Sequence, residues 1–375
     1  MSWLKQFKSP ELAQKIVSSI ENNLKILNSD KPVQIMEVCG GHTHTLFRYG
    51  IHQLFGNKIE FVHGPGCPVC VLPVEVIDDC FELTQNKNII LTTFGDAMRV
   101  PGKHGSLLTA KAKGADIRMV YSPLDALDIA KANPEKEVVF LGLGFDTTMP
   151  STAMSVVMAK KMNIQNFSLY PVHITIIPTL KALLESGDVI VDGFIGPGHV
   201  SMVIGTDPYE FIPKDYHLPF VVSGFEPIDI LHSIDLLITQ LITKQAKVEN
   251  QYCRTVLSHG NEKALSTIHK VFKAGSGFNW RGLGEVKESG VEMQPAYQAF
   301  DAIQRFSIGV NNQNIQFYDE LGLCAHVITG AKKPTECPLF DNGCSPQTPV
   351  GALMVSNEGA CAAYYQYARK QVSHG

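Results

Sequence analysis

The sequence predicts an α/β protein: two parallel-sheet α/β domains followed by a third, mixed, cysteine-rich domain. Three observations predict it. Short apolar runs alternate with helix-periodic segments from residue 33 to residue 222, in two series of four runs. After residue 226 two long helical stretches replace that alternation, and a Gly-, Pro- and Cys-rich tail follows. The chain of 375 residues is also longer than one hydrophobic core usually supports. Strand–helix alternation favours parallel sheets flanked by helices.

Charged and apolar residues alternate at helical spacing through the first 24 residues. This segment, residues 1–30, is expected to be a helix packed on the C-terminal domain. Residues 31–122 hold the first strand series, at 33–38, 59–62, 88–93 and 117–121. Residues 123–232 hold the second, at 138–143, 167–172, 189–194 and 219–222, with helices at 124–132 and 152–161. Residues 233–375 form the helical and mixed domain, with long helices read at 226–243 and 254–273.

Composition narrows the function. Apolar residues make up 45% and charged residues 18%, an ordinary globular balance. A net charge of −4 and a pI near 6.3 argue against a nucleic-acid partner. No run of about 18 apolar residues marks a membrane span. The N-terminal segment lacks the apolar core and cleavage site of a secretory signal, so a cytoplasmic setting is expected. Nine cysteines in a reducing compartment are unsuited to a static disulfide framework, and an odd number cannot all pair within the chain.

Six strands run into glycine-bearing loops: CGGHTH (39–44), HGPGCPVC (63–70), FGDAMRVPG (94–102), GFDTT (144–148), GPGHVS (196–201) and SGFEP (223–227). In open α/β sheets, ligands bind beyond the carboxyl ends of the strands, where glycine permits close backbone approach. These loops carry Cys39, His42, His44, His63, Cys67, Cys70, Asp96, Arg99, Thr147, Thr148 and His199.

Cys67 and Cys70 form a Cys-x-x-Cys after a strand. That spacing suits a short disulfide, or half of a zinc site. Cys39, with His42 and His44 on one loop, combines a thiol with imidazoles that can bind iron or exchange protons. Cys324, Cys337, Cys344 and Cys361 are four thiols at intervals of 13, 7 and 17 residues. Four thiolates suit a four-iron cluster, but the spacing matches no bacterial ferredoxin run and leaves structural zinc open. Cys80 and Cys253 read as packing residues. GLGFDT (142–147) lacks the third glycine of a dinucleotide fingerprint, and no phosphate-loop or common hydrolase signature occurs.

Taken in order, MEVCGGHTHTLFRYGI (36–51), VHGPGCPVCV (62–71), FGDAMRVPG (94–102), GFDTTMPSTA (144–153), GPGHVSMVIG (196–205), VVSGFEPIDIL (221–231), ENQYCRTV (249–256) and PVGALMVSNEGACAAYY (349–365) resemble the HypD family over nearly the whole chain. The resemblance implies assembly of the Fe(CN)2CO unit of nickel–iron hydrogenases, with a HypC-type small chaperone and a HypE-type cyanide donor. It implies that Cys39 holds iron jointly with a chaperone cysteine. Cys67 and Cys70 would do redox work or bind iron, and Cys324, Cys337, Cys344 and Cys361 would carry a [4Fe-4S] cluster in an iron–sulfur domain. His44, with His42 and His63 behind it, would handle protons or cyanide; Asp96, Arg99, Thr147, Thr148, His199 and Glu358 are further site candidates. Three positions depart from the family pattern: Asp146 where Glu is usual, Leu353 where many members have Cys, and the stretch CAHVITG from Cys324. The rival reading is an iron–sulfur thiol–disulfide oxidoreductase acting on a protein partner.

Overall fold

The computed structural model describes residues 9–187, 189–275, 277–309 and 323–368. Its first nine strands are β1 (Val33–Glu37), β2 (Ile59–His63), β3 (Ile89–Thr93), β4 (Ile117–Met119), β5 (Glu137–Gly144), β6 (Phe167–His173), β7 (Gly193–Pro197), β8 (Phe220–Ser223) and β9 (Val248–Asn250). They form two sheets. Sheet A has the order β2-β1-β7-β8-β9, and sheet B the order β4-β3-β5-β6. Every pairing within the two sheets is parallel. The α/β class with parallel sheets therefore holds.

The division of the strands differs from the expected one. Residues 31–122 and 123–232 do not each build a sheet: β3 and β4 pair with β5 and β6, while β1 and β2 join β7 and β8. Parallel sheets bury both faces, and chain order alone does not fix which strands pair. β7 also begins later than the run at 189–194 suggested, and β9 falls in a stretch read as interhelical.

Alternation along each strand assigns its faces. On β1, Val33 and Ile35 enter a core completed by the helices Pro10–Leu27 and Pro227–Thr243. Met36 enters a second core, shared with Leu91 of β3 and Val139 and Leu141 of β5. Val138 and Phe140 of β5 point the other way, against the helices Pro123–Ala132, Met149–Lys161 and Glu262–Val271. The inner faces of the two sheets thus feed one common core. Residues beyond β9 add to these cores, Trp280 and Cys361 to the shared one and Ile268 and Met293 to the outer one.

The first eight residues of the expected N-terminal helix lie outside the described residues. The helix Pro10–Leu27 is capped by Ser9, whose Oγ accepts from the Leu12 N–H at 3.4 Å. It docks on the helix Pro227–Thr243, where Asp235 accepts from Ser19 Oγ at 3.2 Å and Asn23 Nδ2 at 3.0 Å. The contact falls on the helix with which the expected C-terminal domain opens, and that helix is itself a layer of sheet A. The long helix expected at 254–273 is instead a turn and the shorter helix Glu262–Val271. Gly260, at φ +75°, makes the break, and the Asn261 side chain caps the shorter helix. Cys253 lies in that turn and is exposed, not packed; Cys80 is buried as expected.

Candidate functional site

In sheet A the connections run outward on opposite sides of the β1/β7 pair, so strand order reverses there. Such a switch point opens a crevice at the carboxyl ends. Cys39 follows β1, and Gly198 and His199 follow β7. Cys39 is the N-cap of the helix Gly40–Arg48. Its thiol is buried, and burial raises its pKa far above the ordinary thiol range; the negative charges of Glu358 and Glu37 add to this, against the N–H groups of Gly41 and His42. A metal cation would reverse that balance by taking the proton's place.

A polar shell surrounds this thiol. Glu37, the last residue of β1, is 1% exposed. Its carboxylate accepts from the Cys39 N–H at 3.0 Å, from His63 Nδ1 at 2.7 Å and from Thr43 Oγ1. His63 Nε2 is then buried without a hydrogen-bond partner among the described residues. On the other side, His42 Nε2 meets the Ser223 carbonyl at 3.2 Å, leaving its buried Nδ1 in the same condition. Burial lowers the His42 pKa to about 4, so the ring is neutral at pH 7. The Phe225 ring stacks on His42 at 4.8 Å and on His199 at 3.9 Å.

Three further segments close on Cys39. A Cβ on Gly66 would stand 2.3 Å from the Cys39 nitrogen, and one on Gly40 would stand 2.3 Å from Glu358 Cβ. Only glycine allows these approaches. Cys67 and Cys70 are paired as a disulfide, with Cα atoms 5.3 Å apart, and so offer no thiolate to a metal in this state. Gly40, Thr43, His63, Cys67, Cys70 and Glu358 all border a cavity of about 10 Å³, room for roughly one water. Burial raises the Glu358 carboxyl pKa, and the charge of Asp96 raises it further. Arg99 donates to the Val355 carbonyl and, at 3.2 Å, to Asp96.

Not every expected residue joins this group. His44 lies two residues beyond His42 on the helix and packs edge-on to Tyr367 at 5.4 Å. Thr147 and Thr148 lie at the end of β5 in sheet B, where Thr148 Oγ1 turns back to the Phe145 carbonyl at 3.3 Å.

The other four cysteines converge. Cys324, Cys337, Cys344 and Cys361 line one cavity of about 530 Å³, walled largely by apolar side chains such as Leu339, Phe340 and Met354. The Cys361 pKa is raised first by burial, then by the charges of Cys324, Cys344 and Cys337, so all three act on the Cys361 sulfur. Four mutually repelling thiolates in such a place call for cationic charge between them. Among the described residues no group of three or more His, Cys, Asp or Glu could hold a single metal ion. Four thiols lining one cavity are a donor set that fits the ligand count of an iron–sulfur cluster. The Val350 N–H donates to Cys344 Sγ at 3.4 Å, and a Cβ on Gly351 would meet Cys324 Sγ at 2.5 Å.

A HypD family model, described as the hydrogenase formation hypA family, matches residues 11–368. The chain is 50% identical over 373 residues to the hydrogenase maturation factor HypD of Escherichia coli (strain K12), covering 99% of each chain. It is 50% identical over 370 residues to that of Rhodobacter capsulatus, covering 98% of each, and 44% identical over 376 residues to that of Cupriavidus necator, again covering 98% of each. The chain belongs to the HypD family of hydrogenase maturation factors.

Two of the departures from the HypD pattern have clear places in the fold. Asp146 is buried and accepts from the Ile176 N–H at 3.1 Å, starting the helix Ile176–Glu185. Leu353 borders both the four-cysteine cavity and the small cavity beside Cys67 and Cys70. Glu37 and Phe225 do not stand out in the sequence. Glu37 leaves one signal, an acid in an otherwise apolar strand end, and Phe225 leaves none beyond its glycine-flanked loop. Among the described residues no helix is long and apolar enough to cross a membrane.

Proposed function

We propose that this chain assembles the Fe(CN)2CO unit of nickel–iron hydrogenases. It would hold the iron, its cargo, between Cys39 and a thiolate of a HypC-type chaperone, and take cyanide from a HypE-type donor. The supporting observation is the isolation of the Cys39 thiol. It sits at the crevice with two partnerless imidazole nitrogens nearby, while the adjacent pair Cys67–Cys70 is tied up in a disulfide. While that pair is oxidised neither of its sulfurs is a thiolate, which supports a second thiolate supplied by the chaperone.

Release of cyanide from a thiocyanate breaks the S–C bond and consumes two electrons. Oxidation of one dithiol to a disulfide supplies two electrons and releases two protons. Cys67 and Cys70 form such a couple, and the disulfide is its oxidised state. Cys324, Cys337, Cys344 and Cys361 are the residues that would hold a [4Fe-4S] cluster, which supplies electron transfer when bound. Burial of Cys67 and Cys70, at 4% and 2% exposure, favours this internal role over reduction of a protein substrate, which would have to reach a sulfur.

Infrared spectroscopy of the protein copurified with its small partner tests the reading. Cyanide and CO stretches are expected from the wild type. Cys39→Ala should abolish them and remove the cargo iron while leaving the sulfide content and the cluster iron unchanged; bands that survive would sink the proposal. Cys337→Ser should instead lower iron and sulfide, and an unchanged content would remove it from the ligand set.

A further inference from the structure

The segment ENQYCRTV, residues 249–256, takes no part in the shell around Cys39, yet its side chains converge on the loop that carries Phe225. Asp229 is fully buried in the first turn of the helix Pro227–Thr243. Arg254 grips it with both arms of its guanidinium, Nη1 to Oδ1 at 2.8 Å and Nη2 to Oδ2 at 2.5 Å. Gln251 bridges the same carboxylate to the loop: its Nε2 donates to Asp229 Oδ1 at 2.8 Å, and its Oε1 accepts from the Gly224 N–H at 3.0 Å. Asp229 Oδ2 also accepts from the Glu226 N–H at 3.1 Å. A Cβ on Gly224 would come within 2.3 Å of that oxygen, so the carboxylate lies directly on the loop.

Arg254 has a second hold. Its guanidinium stands 4.4 Å from the centre of the Tyr252 ring, and Tyr252 meets Phe225 edge-on at 6.0 Å. The far side of the same loop faces the site. The Ser223 carbonyl takes His42 Nε2, the Phe225 carbonyl accepts from Thr45 Oγ1 at 2.8 Å, and the Phe225 ring contacts both His42 and His199. A bidentate ion pair therefore grips one side of a short loop whose other side orients an imidazole. With the proton on Nε2 for the Ser223 carbonyl, His42 presents a bare Nδ1.

We infer that Arg254 is a positioning residue: through Asp229, Gln251 and Tyr252 it fixes the loop 223–226, and that loop fixes the orientation and tautomer of His42, one helical turn from Cys39. The effect on assembly rests on the reading of Cys39 as the iron-holding thiol; the effect on His42 does not.

The test uses the full chain labelled with 15N-histidine, with His42→Gln to assign the His42 signals. The wild type should show a single tautomer protonated at Nε2. In Arg254→Ala the His42 signals should shift towards a mixture of tautomers, and Fe(CN)2CO assembly with the small partner should fall about 100-fold, the scale of a misplaced site group. The iron and sulfide of the chain prepared without its small partner should not change. Arg254→Lys should fail to rescue, because one ammonium cannot span both carboxylate oxygens. Tyr252→Phe keeps the ring and should behave as wild type. Should Arg254→Ala not fold, Gln251→Leu, which removes the bridge between Asp229 and Gly224 but keeps the Arg254–Asp229 ion pair, carries the same test. An unaltered His42 tautomer in both variants would overturn the inference, as would a scrambled tautomer with wild-type assembly. If Cys39→Ala retained the infrared bands, the iron reading would fail, while the His42 signals would still judge the positioning role.

Discussion

Sheets A and B have the same design at their carboxyl edges, yet they use it differently. Each reverses strand order at its centre, between β1 and β7 in sheet A and between β3 and β5 in sheet B. Each sends glycine-bearing loops from those strands. In sheet A the loop groups leave hydrogen-bonding capacity over: His42 Nδ1 and His63 Nε2 are buried and partnerless among the described residues. In sheet B the groups that follow the central strand β5 are spent on the fold, and the partnerless imidazole nitrogen on that side, His173 Nδ1, lies at the end of the edge strand β6. Asp146 starts the next helix, and Thr148 turns back on its own strand. A switch point supplies a crevice; in sheet A the unsatisfied nitrogens belong to the shell around a buried thiol, and that combination marks the candidate site.

Substitutions can break or sharpen this contrast. The largest effect should come from Glu37→Ala, which strips the acceptor from three donors in sheet A. Leaving such groups unpaired in the interior should cost roughly 3 kcal/mol in chemical denaturation, besides ending assembly. The two histidines of the first helix after β1 come next. His42→Ala should lower assembly about 100-fold, whereas His44→Ala should stay within about twofold, as a half-exposed side chain outside the shell. Comparing infrared band growth in the two variants decides between them.

The prediction for sheet B concerns stability alone, and it depends on pH. Burial raises the Asp146 pKa from 3.8 to about 6. Between those values the folded protein binds more protons than the unfolded one, so this group's stabilising share is complete below 3.8 and is lost as pH rises through 6. Asp146→Asn cannot ionise. Its stability relative to wild type should therefore climb between pH 4 and pH 7, by no more than about 3 kcal/mol. A flat difference across that range in denaturation midpoints would show that Asp146 is not the titrating group.

Much of the fold is legible in the sequence because apolar runs mark buried parallel strands well: all eight expected strands exist. Their pairing is not legible. β1 and β7 are far apart in sequence, and nothing local in either names the other. The site reads in the same uneven way. Glycine loops and cysteines point to Cys39, Cys67, Cys70 and the four C-terminal thiols. Glu37 is hidden inside a strand. His44 ranks above His42 only if residues 39–44 form a loop. They enter the helix Gly40–Arg48, and residues two apart on a helix lie about 200° around the axis, so only one ring reaches the Ser223 carbonyl. The long-range clamp from Arg254 to Asp229 is invisible for the same reason as the sheet order.

The interleaving of the two sheets also sets a timetable for the growing chain. β1 gains its second neighbour only when Gly193–Pro197 has been made, and everything that builds sheet B is synthesised in between. Long-range parallel pairing of this kind is slow and comes late. The nascent chain thus exposes the Cys39 thiol long before the loop that orients His42, or the C-terminal segment that supplies Glu358, exists to surround it. The shell around Cys39 is therefore among the last parts of the fold to be completed.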